Sequence, residues 1–376
     1  MTAVFPHRIE KAQRMMADQG LDILFVNNRE NLIYFTGLTQ IECLAVIIPR
    51  EGEACAVTIA LDADYVRRQS GLATFGYQFP RESLAVKCIE KIRQFGYSAP
   101  RIGFERYFVA FGVFDAFRQA FVQDNFINAG DLFYRLRAIK DEDEVALMRE
   151  AGRIVAAGMA AAAQAVRPGV RECEVLAEAE YAMLKAGSDG SPFRPQVVSG
   201  ERILLTHPCA SVKAIAGGEI VVIHLGATCR GYCAKMCRTV AVGEVAAGRV
   251  AVYDLLLEAQ EAAIRALRPG ATAAEVDSAA RQVVAAGGWE NHYLDYAGYG
   301  VGLRQSEFYP IIGKGRSEMI EAGMVVDLLL PTIYRPDIGG PRITDCIYVG
   351  ERTNEILTEY PRQLIWKATQ VTGSGG

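Results

Sequence analysis

An internal repeat is the feature that most constrains how this chain can fold. The segment AVRPGVRECEVLAEAEYAMLKAG, beginning at Ala165, is matched by ALRPGATAAEVDSAARQVVAAGG, beginning at Ala266. One offset of 101, which is 266 minus 165, also carries Pro168 onto Pro269. Each copy is typical of a helix end, a Pro-Gly turn and the start of a new helix. Two such halves predict a pseudo-twofold axis and one shared cleft, where we expect any chemical site.

The chain length predicts two domains, because 376 residues exceed what one hydrophobic core usually supports. Near the N-terminus, a helical pattern over 7–19 is followed by the apolar runs DILFV, LAVIIP and ACAVTIA, alternating with further helical patterns. Asp141, three residues before Glu144, is an N-terminal capping signal for a long alanine-rich helix. We therefore predict an α+β protein with a mixed α/β domain at 1–133 and the repeat-containing domain at 134–376.

Composition excludes several classes of protein. Hydrophobic residues make up 51% of the chain, charged residues 22%, and the net charge is -4, which gives no basic surface for nucleic acid. No run approaches the roughly 20 apolar residues needed to cross a bilayer, and the first residues lack a signal-peptide pattern. Nine scattered cysteines fit a reducing compartment. We expect a cytoplasmic protein that acts on a small-molecule substrate and binds neither nucleic acid nor membrane.

Several phrases together resemble a known family. NRENLIYFTGL, LRAIKDEDEVALMREAG, GYGVGL and EAGMVV, in this order and with the repeat, resemble the prolidase, aminopeptidase P and creatinase family over nearly the whole chain. The resemblance implies a creatinase/prolidase-type N-terminal domain, a pita-bread fold for 134–376, and a homodimer. In peptidases of this family, two aspartates, a histidine and two glutamates bind two divalent metals that share a water.

The resemblance places other residues at all five of these ligand positions. In chain order they are His224, Lys235, Tyr299, Leu329 or Leu330, and Thr344, the fourth being ambiguous by one residue. This set leaves almost no anionic charge to offset the dehydration of two cations. We therefore expect neither a dinuclear centre nor another cofactor, and a pocket shifted towards positive charge by Lys235.

One histidine has a precedent in metal-free chemistry. By resemblance, creatinase hydrolyses a carbon-nitrogen bond with a histidine in an HNP-like phrase, and THPCAS places His207 at that position. Imidazole titrates near neutrality, which suits it to proton transfer. The alternative is a structural or substrate-binding histidine, since metal-dependent members also carry one here. Creatine itself is not the expected substrate, because the carboxylates that would bind its guanidinium group are replaced.

The remaining candidates surround Lys235. On a strand, Cys233, Lys235 and Cys237 share one face, so the ammonium would favour a thiolate at Cys237; the alternative is an ordinary core cysteine. Glu307 would pair with Lys235 or act as a base, and a surface ion pair explains it equally well.

The candidates divide into two roles. The catalytic candidates are His207, Lys235, Tyr299 and Glu307. The substrate-binding candidates are His224, Cys237, Ser306 and Arg342, of which Ser306 matches a substrate-binding histidine and Arg342 a bracing arginine. His292, Asp327 and Asp345 are weaker candidates.

Two functions remain open from the sequence. The first is a metal-independent, creatinase-like hydrolase or lyase that cleaves a carbon-nitrogen bond in a small anionic substrate. In that case His207 transfers the proton, while Lys235, His224 and Tyr299 bind the substrate or an oxyanion. The second is a catalytically inactive Xaa-Pro peptidase homologue that binds a ligand or partner in the same cleft.

Overall fold

The computed structural model describes residues 5–329 and 333–368. The chain forms two compact units, Met1–Arg137 and Ala138–Gly376. None of the helices in the described ranges is both long enough and apolar enough to span a bilayer.

The first unit contains a mixed six-stranded sheet in the order β4-β3-β2-β1-β5-β6. Its strands are β1 Ile23–Val26, β2 Leu44–Pro49, β3 Cys55–Ile59, β4 Ala73–Tyr77, β5 Ile102–Phe104 and β6 Phe126–Asn128. Its helices are α1 Pro6–Asp18, α2 Arg29–Thr36, α3 Ala63–Ser70, α4 Leu84–Gln94, α5 Phe111–Ala120 and α6 Gly130–Ala138. Apolar residues of the strands pack with α4 and α5 around Phe25 and Phe117. The alternation of helices and strands confirms the predicted mixed α/β character.

Four helices of the second unit show the repeat directly. They are α7 Glu142–Ala165, α8 Glu172–Lys185, α9 Ala247–Ala266 and α10 Ala273–Ala286. The ends of α7 and α9, and both ends of α8 and α10, are related by the offset of 101. Gly169 and Gly270, at the matching turns, have φ values of 86° and 84°, which favour glycine. The predicted capping box of Asp141 and Glu144 begins α7.

The second unit also contains a nine-stranded sheet with the main order β11-β10-β12-β13-β9-β8-β7, while β14 pairs with β13 and β15 with β9. Its strands are β7 Gln196–Ser199, β8 Ile220–Cys229, β9 Tyr232–Val242, β10 Tyr296–Gly300, β11 Glu307–Gly313, β12 Val325–Leu329, β13 Thr344–Tyr348, β14 Glu355–Ile356 and β15 Ile365–Lys367. The long hairpin of β8 and β9 turns at Arg230 and Gly231, both with positive φ.

The two faces of this sheet have different surroundings. One face packs on α9 and α10, and Leu328 and Ile347 belong to the same apolar cluster as these helices. On that face Arg238 pairs with Asp345 at 2.7 Å, and Gln260 of α9 donates to Asp345 at 3.1 Å. Asp345 is therefore structural.

Because strand residues alternate between faces, the opposite face carries a second set of side chains. We call it the cleft face. Its central residues are Lys235 and Cys237 of β9, Asp327 of β12, and Thr344 and Cys346 of β13.

Candidate functional site

Strand register brings most of the candidate positions onto the cleft face in two rows. In the first row, Cys237 of β9 lies opposite both His224 of β8 and Thr344 of β13. In the second row, Asp327 of β12 lies opposite Cys346 of β13 and Tyr299 of β10. Register neighbours point to the same side of a sheet. Residues distant in sequence therefore meet at one site.

A buried ion pair lies in the second row. Lys235 Nζ is 2.5 Å from Asp327 Oδ2, and the side chains are only 2% and 0% exposed. Lys235 also donates to Ser306 Oγ at 3.2 Å, and the Tyr299 backbone N–H donates to Asp327 Oδ1 at 2.6 Å. Asp327 offsets the positive charge that Lys235 brings to this pocket, a pairing that was not predicted from the sequence.

Glu307 has a different environment from the one expected. Its side chain is 1% exposed, so the surface ion pair considered from the sequence is wrong. Glu307 Oε1 accepts the Arg304 backbone N–H at 3.4 Å. The carboxylate that pairs with Lys235 is Asp327 instead.

Tyr299 is half-buried, and its ring centroid lies 5.2 Å from that of Tyr296. Burial, with a further effect from Tyr296, raises the pKa of the Tyr299 phenol to about 12. Tyr299 is therefore a protonated hydrogen-bond donor at neutral pH.

His224 is neutral in this environment. It lies opposite Gln196 of β7, and its ring centroid is 4.7 Å from that of Phe193. Burial lowers the pKa of His224 well below its usual value, and the positive charges of Lys235 and Arg342 act in the same direction. An uncharged imidazole at this position can donate or accept one hydrogen bond at each nitrogen.

This environment should make folding sensitive to acid. The unfolded chain binds a proton at His224 below about pH 6.5, whereas the folded chain resists it, so stability falls as pH falls through that value. Relative to wild type, His224→Gln should lose less stability between about pH 7.5 and about pH 5.5, by up to about 1.4 kcal/mol. Urea unfolding at both pH values measures the difference. An identical pH dependence in the two proteins would contradict a neutral buried His224.

Cys237 lies in an apolar environment rather than beside a free cation. It belongs to a buried cluster with Val198, Ile203 and Val222. Burial raises the pKa of its thiol to about 12. These surroundings favour the core-residue alternative over a thiolate nucleophile.

Arg342 extends across the cleft face. Its Nη1 donates to Gln196 Oε1 at 3.2 Å, and its Nη2 to the Leu205 carbonyl at 3.4 Å. The guanidinium carbon lies 5.4 Å from the centre of the Tyr334 ring. Arg342 is 5% exposed, so its positive charge is held in the interior of the site.

His207 lies in the segment between β7 and β8, and its side chain is exposed. It is close enough to His224 for its charge to lower the pKa of that residue. The segment that carries His207 meets the site at Leu205, whose carbonyl accepts a hydrogen bond from Arg342 Nη2, while His292 is exposed in the turn before β10.

The residues that the sequence resemblance places at the family's ligand positions offer few anionic donors for a divalent cation. Asp327 is the carboxylate nearest Lys235, and it is already paired with that ammonium. His224 offers a neutral nitrogen and Thr344 a hydroxyl, both weak donors for hard cations. Within 5–329 and 333–368, no cluster of three or more histidine, cysteine or acidic residues is arranged to bind a metal. The Leu329 backbone lies opposite Thr344, and Leu330 is outside the described residues.

Comparison with protein families identifies the fold and the family. The model of metallopeptidase family M24 matches residues 146–351, more than half of the chain. The chain belongs to metallopeptidase family M24. The creatinase/prolidase N-terminal domain matches residues 8–139. The α+β class, with a mixed N-terminal domain and a C-terminal pita-bread fold, is thereby confirmed.

Individual relatives match along nearly the full length. The Xaa-Pro dipeptidase of Pyrococcus furiosus is 30% identical over 358 residues, covering 95% of this chain and 99% of that protein. Among solved structures, Xaa-Pro dipeptidase from Bacillus anthracis has a TM-score of 0.89 at 29% identity, covering 96% of this chain and 99% of that one. Prolidase from Pyrococcus horikoshii has a TM-score of 0.85 at 28% identity, covering 96% and 100%. The family M24 chain described here therefore has hydrolases as its relatives.

Sequence reasoning ranked Asp327 too low. The signal was a carboxylate inside the apolar run VVDLLL, which predicts burial on a central strand. A buried carboxylate needs a cation, and the lysine at a lost ligand position was the available partner. The strand order and register that bring Lys235 close to Asp327 could not be predicted from the sequence.

Proposed function

We propose that this family M24 member is a metal-independent, creatinase-like hydrolase of a small anionic substrate, with His207 as the proton-transfer residue. The observation that carries the proposal is the buried ion pair of Lys235 and Asp327. It introduces a cation at a position where the family's peptidases have a metal-binding carboxylate. An ammonium there repels a divalent cation. It also pairs with the Asp327 carboxylate, which could otherwise have bound a metal ion.

The proposed step is hydrolysis of a carbon-nitrogen bond. A water oxygen adds to the carbon, the carbon-nitrogen bond breaks, and the proton lost by water passes through His207 to the departing nitrogen. The exposed position of His207 allows water and substrate to reach it. Protonated Tyr299 can donate to oxygen, and Arg342 supplies positive charge in the same unit.

A second candidate is ligand binding without turnover. It is favoured by the pairing of Lys235, which removes the free cation expected for oxyanion stabilisation, and by the burial of the Cys237 thiol. His207 is then a binding residue at the edge of the cleft face. Both candidates share metal independence and differ in turnover.

Metal analysis tests metal independence, which both candidates share. Protein purified without chelator should contain well below one equivalent per chain of manganese, zinc, cobalt or iron, because the Asp327 carboxylate is already paired with Lys235. Its thermal unfolding should be unchanged by EDTA. Two equivalents of bound metal per chain, or a large loss of stability with EDTA, would overturn the proposal.

A substrate screen separates the two candidates. EDTA-treated protein is incubated with amides, amidines and dipeptides that carry a carboxylate, and free amine is measured. Turnover above the buffer blank supports the hydrolase. Saturable binding of such compounds without released amine supports the binding protein.

A further inference from the structure

Apart from Asp327 Oδ2, which forms the ion pair with Lys235, three buried polar atoms of the site lack a hydrogen-bond partner in the described part of the chain. They are Nε2 of His224, Nε of Arg342 and Oγ1 of Thr344. The residues are 9%, 5% and 0% exposed, respectively. Burying a donor or acceptor without a partner costs about 1–3 kcal/mol, so three in one region need an explanation.

The sheet brings these residues together. His224 and Thr344 flank Cys237 on neighbouring strands, which places their backbones about 9.5 Å apart, two strand spacings. Arg342 precedes Thr344 by two residues, and its backbone N–H bonds Thr239 Oγ1 on β9 at 2.9 Å. Its guanidinium reaches Gln196, the register partner of His224, so the side chain passes close to His224.

Arg342 is also a buried cation without a carboxylate partner. Its contacts are an amide oxygen, a backbone carbonyl and an aromatic ring, and within the described ranges no acidic side chain forms an ion pair with it. Lys235 and Arg238, the other buried cations of this sheet, each pair with an aspartate at 2.5 and 2.7 Å. A buried charge is normally compensated, so the missing anion at Arg342 points to a ligand.

We propose that Arg342, Thr344 and His224 form a binding subsite for a small monocarboxylate. The Arg342 Nε–H and the Thr344 hydroxyl can each donate to one carboxylate oxygen, and His224 can complete the contacts. One negative charge matches the uncompensated charge of Arg342, whereas a doubly charged phosphate or sulfate would leave excess charge beside buried neutral groups. This inference rests on the proposed metal-independent use of the face and specifies where the anionic part of the substrate binds.

The location agrees with a substrate role. Arg342 contacts the carbonyl of Leu205, two residues before His207, and the Leu205 side chain is 51% exposed. A carboxylate held at Arg342 would therefore lie beneath the segment that carries the exposed histidine. The rest of the ligand would extend towards His207.

Titration with acetate, followed by NMR of the imidazole signals, tests the subsite. The chain has four histidines, so the His224 signal can be assigned with His224→Gln. Acetate should shift this signal saturably at constant ionic strength, and chloride should not. Arg342→Gln should weaken acetate binding at least about tenfold, because it removes a charge-assisted hydrogen bond. Arg335→Gln, at an arginine that pairs with Asp337, is the matched control and should bind acetate like wild type.

A second variant tests the subsite independently, so the test does not depend on Arg342→Gln being folded. Thr344→Val keeps the side-chain shape and removes only the unpartnered hydroxyl, so it should weaken acetate binding without lowering the melting temperature. Equal acetate affinity in wild type and both variants, or a shift no different from that with chloride, would overturn the subsite. Tighter binding of sulfate than of acetate would overturn the monocarboxylate assignment. Bound metal would overturn the proposed function instead, and is measured separately on the same preparation.

Discussion

Asp327→Ala is expected to lower the free energy of unfolding by about 3–5 kcal/mol, because it leaves the Lys235 ammonium buried without its counter-ion. For a chain of this size the melting temperature should fall by roughly 10 °C. Lys235→Met should also lower the free energy of unfolding, because it leaves Asp327 buried without its counter-ion. Thermal and urea unfolding measure both effects.

The double variant makes the test specific. Lys235→Met combined with Asp327→Leu replaces the pair by apolar side chains and is expected to be as stable as wild type, or more stable. The two single losses should therefore not add, which is the signature of direct coupling. The matched control is Asp337→Ala, which breaks an ion pair of the same 2.5 Å length that is 43% and 57% exposed. The free energy of unfolding of Asp337→Ala should fall by less than about 1 kcal/mol. Additive losses at Lys235 and Asp327 would show that they do not pair.

The geometry of the pair explains why a lysine can occupy this position. Lys235 is on β9 and Asp327 on β12, and β13 lies between these strands. The lysine side chain must therefore cross β13, at Cys346, which lies opposite Asp327 in the register. Cys346 is small, and its Sγ lies 3.3 Å from the Lys235 backbone nitrogen. A long flexible cation thus bridges two strands that a second aspartate could not have joined without metal.

Much of the fold could be predicted from the sequence, because the patterns that specify its elements are local or periodic. The offset of 101 predicted the matching ends of α8 and α10, and the Asp141 capping signal predicted the start of α7. The apolar run LAVIIP forms β2. Dimer formation and cytoplasmic location stay predictions.

The site was only partly readable, because its properties depend on long-range register and burial. Residue identity offered Glu307 as one possible partner of Lys235 and did not identify Asp327, which forms the ion pair. The pairing with Asp327 depends on the strand order of the sheet, which single-sequence patterns do not specify. The burial of Cys237 likewise depends on residues such as Ile203 that pack over the strand.

His207→Ala should produce the largest functional effect if the protein is a hydrolase. Loss of the group that moves a proton from water to the departing nitrogen should reduce kcat/KM by about 10²–10⁴-fold. Because His207 is exposed, the variant should retain the wild-type melting temperature, which separates loss of chemistry from loss of structure.

Two further measurements make the His207 prediction specific. His292→Ala is the matched control, because this histidine is also exposed but lies before β10, and its turnover should equal that of wild type. Added imidazole should partly restore turnover to His207→Ala, since the exposed position leaves space for a free proton carrier. Unchanged kcat/KM in His207→Ala would remove His207 from the mechanism. The buried cleft-face groups would then have to move the proton, and neutral His224 is the one whose chemistry permits it.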